Sequence, residues 1–226
     1  MMFYQPDKND HGLPFAPFKS CVVPRPIAWI STLSRSGIVN LAPFSQCNIL
    51  GWDPPYVMFS ANTHFDGRRK DSVVNAEETG EFVFNMATWA LREAVVQTSM
   101  IMDAGVDEMA AAGLTAEPSR LVKPPRLRES PINFECKHYQ TVIVPCDTPG
   151  AMNSLVIGRV VGVHIADDVI APSGKLDIVK IRPLARMGYL DYTSVTDVFE
   201  LRHPSTDERT VRGMSGGTGA KPKAAE

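Results

Sequence analysis

The sequence predicts a mainly β protein, a closed or partly closed antiparallel β-barrel with a few inserted helices. Three observations lead to this fold class. Short apolar stretches of strand length recur along the chain, turn-forming residues separate them, and helical patterns occur only at intervals between them. Strands in this order, with helices inserted among them, favour a barrel over a doubly wound parallel sheet.

Composition limits the kinds of protein that this chain can be. Its 226 residues, 44% of them hydrophobic, can bury one sizeable core. The 23 Lys and Arg residues against 25 Asp and Glu give a net charge of −2, which argues against a nucleic-acid partner. The apolar runs are too short to cross a membrane, and the N-terminus lacks the pattern of a signal peptide. We therefore expect a soluble, cytoplasmic protein with no membrane partner.

The first four strands are predicted within about forty residues. A hairpin joins IAWISTL (27–33) to IVNLA (38–42) through the turn SRSG, where Gly37 supplies the backbone freedom that the bend needs. FSQCNIL (44–50) and YVMFSAN (56–62) are the next two strands. The prolines of GWDPP between them cannot donate to a strand ladder and force a turn.

Three later segments are also strand candidates: EFVFNM (81–86), NFECKHYQTVIV (133–144) and SLVIGRVVGVHI (154–165). In the last of them, Gly158 and Gly162 share a face and leave room beside their neighbours. This predicts a bend or a close backbone approach in a curved sheet. The opposite face carries the larger apolar side chains of Leu155, Ile157, Val161, Val163 and Ile165.

Helical patterns occur in three places. RKDSVVNAEETG has a start signal at Asp71 or Ser72 and a stop signal at Gly80. ALREAVVQTSMIM predicts a longer helix and DEMAAAGL a shorter one. Both fall between predicted strands, so they are insertions in a β framework.

The pattern divides the chain into an arm, one domain and a tail. Residues 1–19 are expected to form an irregular N-terminal arm that packs against the rest, and residues 20–212 a single domain with an insertion at about 89–131. Residues 213–226 have one sizeable apolar side chain, too little to offset the entropy of ordering them. We expect this tail to be disordered.

Cysteine and histidine give no metal pattern. The four cysteines are too thinly spread for a disulfide framework. A metal set could be assembled from four residues, but their spacing matches no usual ligand pattern, so we predict no metal site. The four residues are Cys136, His138, Cys146 and His164. We expect the two strand histidines to be hydrogen-bonded structural residues, whereas His64 is the histidine best placed to touch a ligand.

Small polar residues end two neighbouring strands, in SQCN (45–48) and SAN (60–62). Small side chains let a planar ligand approach backbone N–H and C=O groups, and the amides can both donate and accept. RRKDS (68–72) adds three cations before a helix start, which suits a phosphate. Alone, these segments could equally be hairpin ends and a solvated basic loop. Together they predict a site for a phosphorylated flat heterocycle.

Four motifs, in order and spacing, resemble the flavin reductase family, whose fold is the FMN-binding split barrel and which includes flavoredoxins. They are PRPIAWIST, NLAPFSQCN, DPPYVMFSAN and RRKDSVVNAEETGEFVFN, and the later SLVIGRVVGVHI and IRPLARMGYLDY are similar to that family's closing strands. The resemblance spans residues 20–192. It implies FMN, or sometimes FAD, held at a homodimer interface, with NAD(P)H as the electron donor and a monooxygenase component as a candidate partner.

By motif position, the resemblance implies that SQCN and SAN line the isoalloxazine ring and ribityl chain and that the basic segment holds the phosphate. Asp71 would cap the helix or orient Lys70. The side chain of Trp29 could instead be core, and Tyr189 or Tyr192 could reach the flavin of a partner subunit or simply pack at an interface. The implied cofactor-binding residues are Thr32, Ser45, Gln46, Cys47, Asn48, Ser60, Ala61, Asn62, Arg68, Lys70, Asp71 and Ser72.

The resemblance implies an NAD(P)H:flavin oxidoreductase, a flavin reductase in which hydride passes from nicotinamide to flavin. No catalytic side chain is assigned, because the cofactor carries the chemistry. The chain has no GxGxxG after a strand, so no separate nicotinamide domain is expected. Two alternatives from other classes stay open: an FMN-containing electron carrier and a non-enzymatic flavin-binding protein.

Overall fold

A seven-stranded antiparallel sheet is the framework of the protein. The computed structural model describes residues 1–103, 105–201, 204 and 207. The predicted disorder of residues 213–226 therefore lies outside the described residues. The strands are β1 (Arg25–Pro26), β2 (Ala28–Leu33), β3 (Val39–Phe44), β4 (Cys47–Trp52), β5 (Pro55–Asn62), β6 (Glu81–Met86), β7 (Ala116–Glu117), β8 (Arg126–Leu127), β9 (Ile132–Pro145), β10 (Met152–Ile165), β11 (Leu184–Gly188) and β12 (Asp191–Ser194).

The large sheet curls until its two edges meet. Its strand order is β3-β2-β6-β9-β10-β5-β4, so the two edge strands are consecutive in the chain. Only Ser45 and Gln46 separate them. The rings of Phe44 and Phe59 lie 4.9 Å apart between centroids, which joins one edge to the other side of the barrel. The prediction of a mainly β, partly closed antiparallel structure is confirmed.

The predicted hairpins are present. Strands β2 and β3 pair antiparallel, and Gly37 lies in the turn between them with a φ of 85°. Its N–H donates to the carbonyl of Ser34. Strands β4 and β5 form the next hairpin, in which Trp52 pairs with Pro55. Pro55 tolerates this place because it begins the strand.

Strands β9 and β10 are long and bent. Their pairing shifts register between Ile157 and Gly158 and again between Val160 and Gly162. A Cβ at Gly158 would lie 2.3 Å from Cζ of Phe82, so only glycine fits there without movement. The predicted close approach at this glycine is confirmed.

The opposite face of β10 points out of the barrel. Its residue Val163 is 55% exposed, and Ile143 on the paired strand β9 is 49% exposed. This leaves an apolar outer sheet face on the described chain.

Two apolar clusters fill the inside of the barrel and the space beside it. Within the barrel, Ile30, Phe59, Phe82 and Val156 are fully or almost fully buried. A second cluster packs the segment at 89–131 against the other face of β2. Trp29 is the centre of that cluster: its ring is buried, and its Nε1–H donates to Oγ1 of Thr98 at 2.9 Å. Its role is therefore in the core.

The helices are short. They are α1 (Asp71–Thr79), α2 (Arg92–Gln97), α3 (Glu108–Ala111) and α4 (Ile178–Ile181), with 3-10 turns at Pro6–Lys8, Phe18–Ser20, Trp89–Leu91 and Asp167–Val169. Helix α1 ends at Gly80, whose φ of 73° confirms the predicted stop. The two predicted helices of the inserted segment exist but are shorter than their patterns, since tertiary packing overrides local propensity.

The end segments differ from the sheet. Residues 1–19 contain only 3-10 turns, and the ring of Phe15 packs edge-on against Tyr189 with centroids 5.8 Å apart. Residues 1–196 form one compact unit, which contains all the strands and helices given above, and residues from Asp197 onward form a second. Within the described part of the chain, no helix is long and apolar enough to span a membrane.

The contact between Gly158 and Phe82 gives a stability prediction. Gly158→Ala should lower the free energy of unfolding by about 1–3 kcal/mol, the usual cost of overpacking a core. Gly162→Ala is the matched control, because its added Cβ would meet its nearest neighbour at 3.4 Å, an ordinary contact. Urea denaturation measures both. Equal losses for the two variants would contradict the role given to the Phe82 ring.

Candidate functional site

A cleft of about 320 Å3 opens where the two edges of the large sheet meet. Its walls are the link from β3 to β4, the end of β5, the loop that follows, and the residue before α1. The lining residues are Pro43, Phe44, Ser45, Gln46, Ser60, Ala61, Asn62, Thr63, His64, Phe65, Lys70 and Ile101. Six of the twelve residues implied by the resemblance are among them: Ser45, Gln46, Ser60, Ala61, Asn62 and Lys70.

The barrel closure brings the SQCN and SAN segments together. The backbone N–H of Ser60 donates to the carbonyl of Gln46 at 2.8 Å, and Cys47 pairs with Phe59. Because Ser45 and Gln46 form the whole link between the edge strands, they are held beside the end of β5. The predicted convergence of the two strand ends is therefore observed.

A tight loop returns the chain from β5 to helix α1. The N–H of His64 donates to the carbonyl of Arg68 at 2.7 Å, and Gly67 turns the loop with a φ of 82°. This loop places Nζ of Lys70 3.2 Å from Nδ1 of His64. Both side chains face the cleft between the strand ends and the helix.

The cleft end at Lys70 favours an anion. Burial lowers the pKa of the Lys70 ammonium below its ordinary value, with the carboxylates of Asp71 and Asp66 acting in the opposite direction. Burial and then the charge of Lys70 lower the pKa of His64. A bound anion would stabilise the positive form of both groups.

The start of α1 adds backbone donors at the same place. Lys70 is the N-cap residue and the helix has no side-chain cap, so of the two roles expected of Asp71, capping the helix or orienting Lys70, the first is wrong. The N–H groups of Val73 and Val74 donate to the carbonyl of Lys70. No hydrogen bond found among the described residues uses the N–H of Asp71 or Ser72, and these two donors remain open at the positive end of the helix dipole.

Two of the implied residues lie behind this helix start and not in the cleft. Thr32 and Ser72 are at most 1% exposed, and both hydroxyl groups donate to Oδ1 of Asn40, at 3.2 and 2.7 Å. Asn75 donates in turn to Thr32. Because the Ser72 proton is already used inside the protein, its hydroxyl is not a free donor for a ligand.

Glu108 anchors this polar network from helix α3. Its Oε2 accepts a hydrogen bond from the backbone N–H of Leu41 at 2.6 Å and another from the Asn40 amide. Burial raises the pKa of the Glu108 carboxyl above its ordinary value, and the two hydrogen bonds oppose that effect. The inserted segment thereby supports the helix start through a buried carboxylate. Asn40 begins the motif NLAPFSQCN but was not among the implied site residues, and no local pattern indicated Glu108.

The remaining four implied residues do not line the cleft. Cys47 points into the core, donates to the carbonyl of Pro26 at 3.2 Å, and burial raises the pKa of its thiol to about 12. The Oδ1 of Asn48 accepts from the N–H of Ile49 on the exposed edge strand. Arg68 is exposed and paired with Asp66 at 2.7 Å. Asp71 lines the smaller cavity next to the cleft.

Other candidate residues lie away from this cleft. The imidazole of His138 bonds to Thr141 and that of His164 to Glu135, at 2.9 and 2.5 Å. Tyr189 packs on Phe15, as described above. In the part of the chain that the structure describes, no three ligand-type side chains cluster as a metal site would require.

Sequence reasoning missed several wall residues of the cleft. Phe44 and Thr63 lie within or directly beside the motifs that predicted the site. Their position next to polar strand ends was the available signal. Ile101 comes from the segment after α2, and nothing in its local pattern indicated a place in this wall.

Glu108→Gln tests the buried network through pH. A carboxyl whose folded pKa is raised contributes stability below its unfolded pKa, about 4.3, and loses it as pH rises through the folded value. Glu108→Gln should therefore gain stability relative to the parent protein as pH rises above 4.3. Urea denaturation between pH 4 and 8 measures this. Glu93→Gln, at an exposed carboxylate, controls for the lost charge, and parallel profiles for the parent and Glu108→Gln would refute the assignment.

Comparison with known proteins identifies the family. An uncharacterized protein of Aquifex aeolicus is 37% identical over 167 residues, 74% of this chain and 82% of its own length. Nitrilotriacetate monooxygenase component B from Bacillus cereus is 27% identical, with a TM-score of 0.81 over 89% of this chain and 98% of that one.

A Shewanella frigidimarina protein with a split barrel domain is 23% identical, with a TM-score of 0.75 over 90% of this chain and 100% of that one. This likeness confirms the split-barrel fold. The model of the flavin reductase like domain matches residues 20–183, nearly three quarters of the chain. The barrel, the cleft at its closing edge and these matches agree: the chain belongs to the flavin reductase-like domain family.

Proposed function

We propose that this protein is an FMN-binding oxidoreductase, an NAD(P)H-dependent flavin reductase. One observation carries the proposal: the cleft at the closing edge of the barrel has a wall of small polar strand ends on one side and Lys70 with an uncapped helix start on the other. The first wall suits a flat heterocycle and the second a phosphate. FMN combines both groups in one molecule.

The residues present fit FMN in size and chemistry. The cleft volume, about 320 Å3, lies in the usual range for ligand pockets, and adjoining cavities share His64 with it. Ser45, Ser60 and Ala61 would let the ring approach backbone groups. Lys70, His64 and the open N–H groups of α1 would hold the phosphate. The role of Ser72 is then to position the helix, since its hydroxyl proton goes to Asn40.

The surroundings of the phosphate end favour FMN over FAD. Behind the helix start, a small cavity is lined by the carboxylates of Asp71, Asp103 and Glu108. A second phosphate extending in that direction would meet negative charge and lose affinity. A single terminal phosphate would stay beside Lys70.

When bound, a flavin would supply hydride-transfer redox chemistry. The chain itself binds and orients. Gln46 and Asn62 would offer amide groups to the polar edge of the ring, and Lys70 would balance the phosphate charge. We assign no catalytic acid or base to the protein.

A second copy of this chain is the partner that we propose for the exposed sheet face. The outer face of β9 and β10 exposes apolar side chains, including Ile143 and Val163, and apolar faces of this kind are typical of homodimer interfaces. The likeness to a monooxygenase component supports a monooxygenase as the consumer of reduced flavin. A cytoplasmic location is expected for such a protein.

Flavin binding and reduction test the proposal directly. Purified protein titrated with FMN should give a shifted flavin spectrum. Anaerobic addition of NADH or NADPH should then bleach the flavin absorbance on the timescale of turnover. Bleaching only by a reduced protein donor would instead identify an electron carrier. A stable yellow complex that no donor reduces would identify a flavin-binding protein, and failure to bind FMN or FAD would refute the site.

Lys70→Ala tests the phosphate assignment. Loss of a charge-assisted hydrogen bond should weaken FMN binding by about 10- to 100-fold, while riboflavin, which has no phosphate, should bind almost unchanged. Fluorescence titration of both flavins measures the difference. Arg68→Ala compares the exposed cation of the same loop, and Arg35→Ala, on a distant turn, is the control. Equal losses of FMN and riboflavin would show that Lys70 acts elsewhere.

A further inference from the structure

A lysine and a histidine share a hydrogen bond in the candidate cleft. Nζ of Lys70 lies 3.2 Å from Nδ1 of His64, and both side chains line the cleft. An ammonium group has three donors and no acceptor, so Nδ1 is the acceptor in this contact and carries no proton. The imidazole is therefore neutral, with its proton on Nε2.

The loop before helix α1 fixes this pair. The backbone N–H of His64 donates to the carbonyl of Arg68 at 2.7 Å. Directly before Lys70, the guanidinium of Arg69 donates to both carboxylate oxygens of Glu77, at 2.8 and 2.6 Å. Of the three cations in the basic segment, Lys70 alone lines the cleft. The positive charge that this segment brings to the cleft is therefore held against the histidine.

The charged groups around His64 favour its neutral form. Burial lowers its pKa most, and the charges of Lys70 and then Arg68 lower it further. The carboxylates of Asp66 and Asp71 act in the opposite direction, and Asp66 is already paired with Arg68 at 2.7 Å. The net effect holds the pKa of His64 below its ordinary value of 6.5.

Two more titratable groups share a cavity with His64. Glu108 lines one adjoining cavity, where its carboxylate accepts hydrogen bonds from the amide of Asn40 and the N–H of Leu41. Cys146 lines another and is a free thiol. The imidazole bonds to Lys70 and not to either of these groups. A substitution at position 64 separates its titration from theirs.

A phosphate bound at Lys70 would reverse the preference of the histidine. A phosphate oxygen accepts from an ammonium at about 2.8 Å, so it would lie at most about 6 Å from Nδ1 of His64. A negative charge at that range favours the charged imidazolium. An imidazolium has an N–H on each ring nitrogen and cannot accept from Lys70, so both side chains would direct their donors to the phosphate.

We propose that the cleft binds a terminal phosphate together with a proton, which His64 takes up from the solvent. The inference rests on the proposed function, because the phosphate is that of FMN, and it adds a regulation of the same site. The affinity for FMN falls as pH rises, since the proton that accompanies the phosphate becomes scarcer. Riboflavin, which has no phosphate, binds without this dependence.

The sign of the effect follows from the free and bound forms of His64. Below the pKa of the free protein the imidazole is already charged, and above the pKa of the complex it stays neutral, so no proton is taken up in either range. Between these two values, Kd rises with pH by at most about tenfold per pH unit. Because the free pKa is lowered, this window opens below pH 6.5.

Calorimetric titration of the full chain with FMN counts the protons. At pH 7, in PIPES, HEPES and Tris buffers, the observed heat should vary with the ionisation enthalpy of the buffer, giving an uptake of about 0.3–1 proton per FMN. Kd should rise about 3- to 10-fold between pH 6.5 and 8. The phosphate of FMN has its own second pKa near 6 and would release protons on binding, so it cannot imitate uptake.

Matched variants assign the proton to one residue. His64→Gln should bind FMN with an uptake near zero and with a Kd that is almost independent of pH in this range. His138→Gln makes the same change at a histidine outside the cleft, which bonds to Thr141, and should retain the uptake of the parent protein. Circular dichroism confirms that each variant is folded, and the comparison of FMN with riboflavin needs no variant.

NMR titration of the histidine Cε1–H signals observes the group itself. The signal that is missing in His64→Gln identifies His64, and its pKa should rise when FMN binds. In Lys70→Ala without FMN, the pKa of His64 should rise towards its ordinary value, because the charge of Lys70 no longer lowers it. This second measurement requires no ligand.

The possible failures are distinguishable. FMN binding without proton uptake, uptake that persists in His64→Gln, equal uptake with riboflavin, or a His64 pKa that FMN leaves unchanged would each overturn this inference and leave the proposed function intact. Failure of the parent protein to bind FMN at any pH would refute the proposed function and this inference with it.

Discussion

The two edges of the large sheet must meet, because they are consecutive strands joined by Ser45 and Gln46 alone. Such a short link cannot span an open sheet, so closure of the barrel and position of the link are one constraint. The hydrogen bond from Ser60 to Gln46 holds the link against β5. The cleft, its strand-end wall and its distance from helix α1 all depend on this closure. Gly158 also supports closure of the barrel, because it lets β10 bend over Phe82.

The strands and helix α1 could be predicted from sequence because their signals are local. Turn residues such as Gly37 and a helix stop such as Gly80 act through the backbone of a few residues, and the structure has both at positive φ. The sequence also predicted that some group approaches the backbone closely at Gly158. Its partner was not, because Phe82 lies on a strand far away in sequence. A local pattern can predict that a strand glycine leaves space for a neighbouring group, but it cannot identify which residue packs there.

The sequence predicted many of the residues that line the candidate site, but it predicted less well what each side chain does there. Side chains at strand ends and in the basic loop were identified from their type, and six of them line one cleft. Thr32 and Ser72 were implied by the same motifs, yet their hydroxyl groups donate to Asn40 inside the protein. The direction of a hydrogen bond depends on a partner that spacing does not reveal. Glu108, 68 residues from Asn40, is the extreme case.

The buried carboxylate of Glu108 links the inserted segment to the electrostatics of the cleft. Glu108 fixes the amide of Asn40 so that its oxygen faces Ser72, which in turn holds the first turn of α1. A negative charge on its carboxylate would also oppose an anion at that helix, and burial raises the pKa of this carboxyl above its ordinary value. In the proposed complex, therefore, one segment both orders the phosphate donors and limits how tightly they bind. Residence of the flavin would then be set by the packing of the inserted segment as much as by the residues that touch the phosphate.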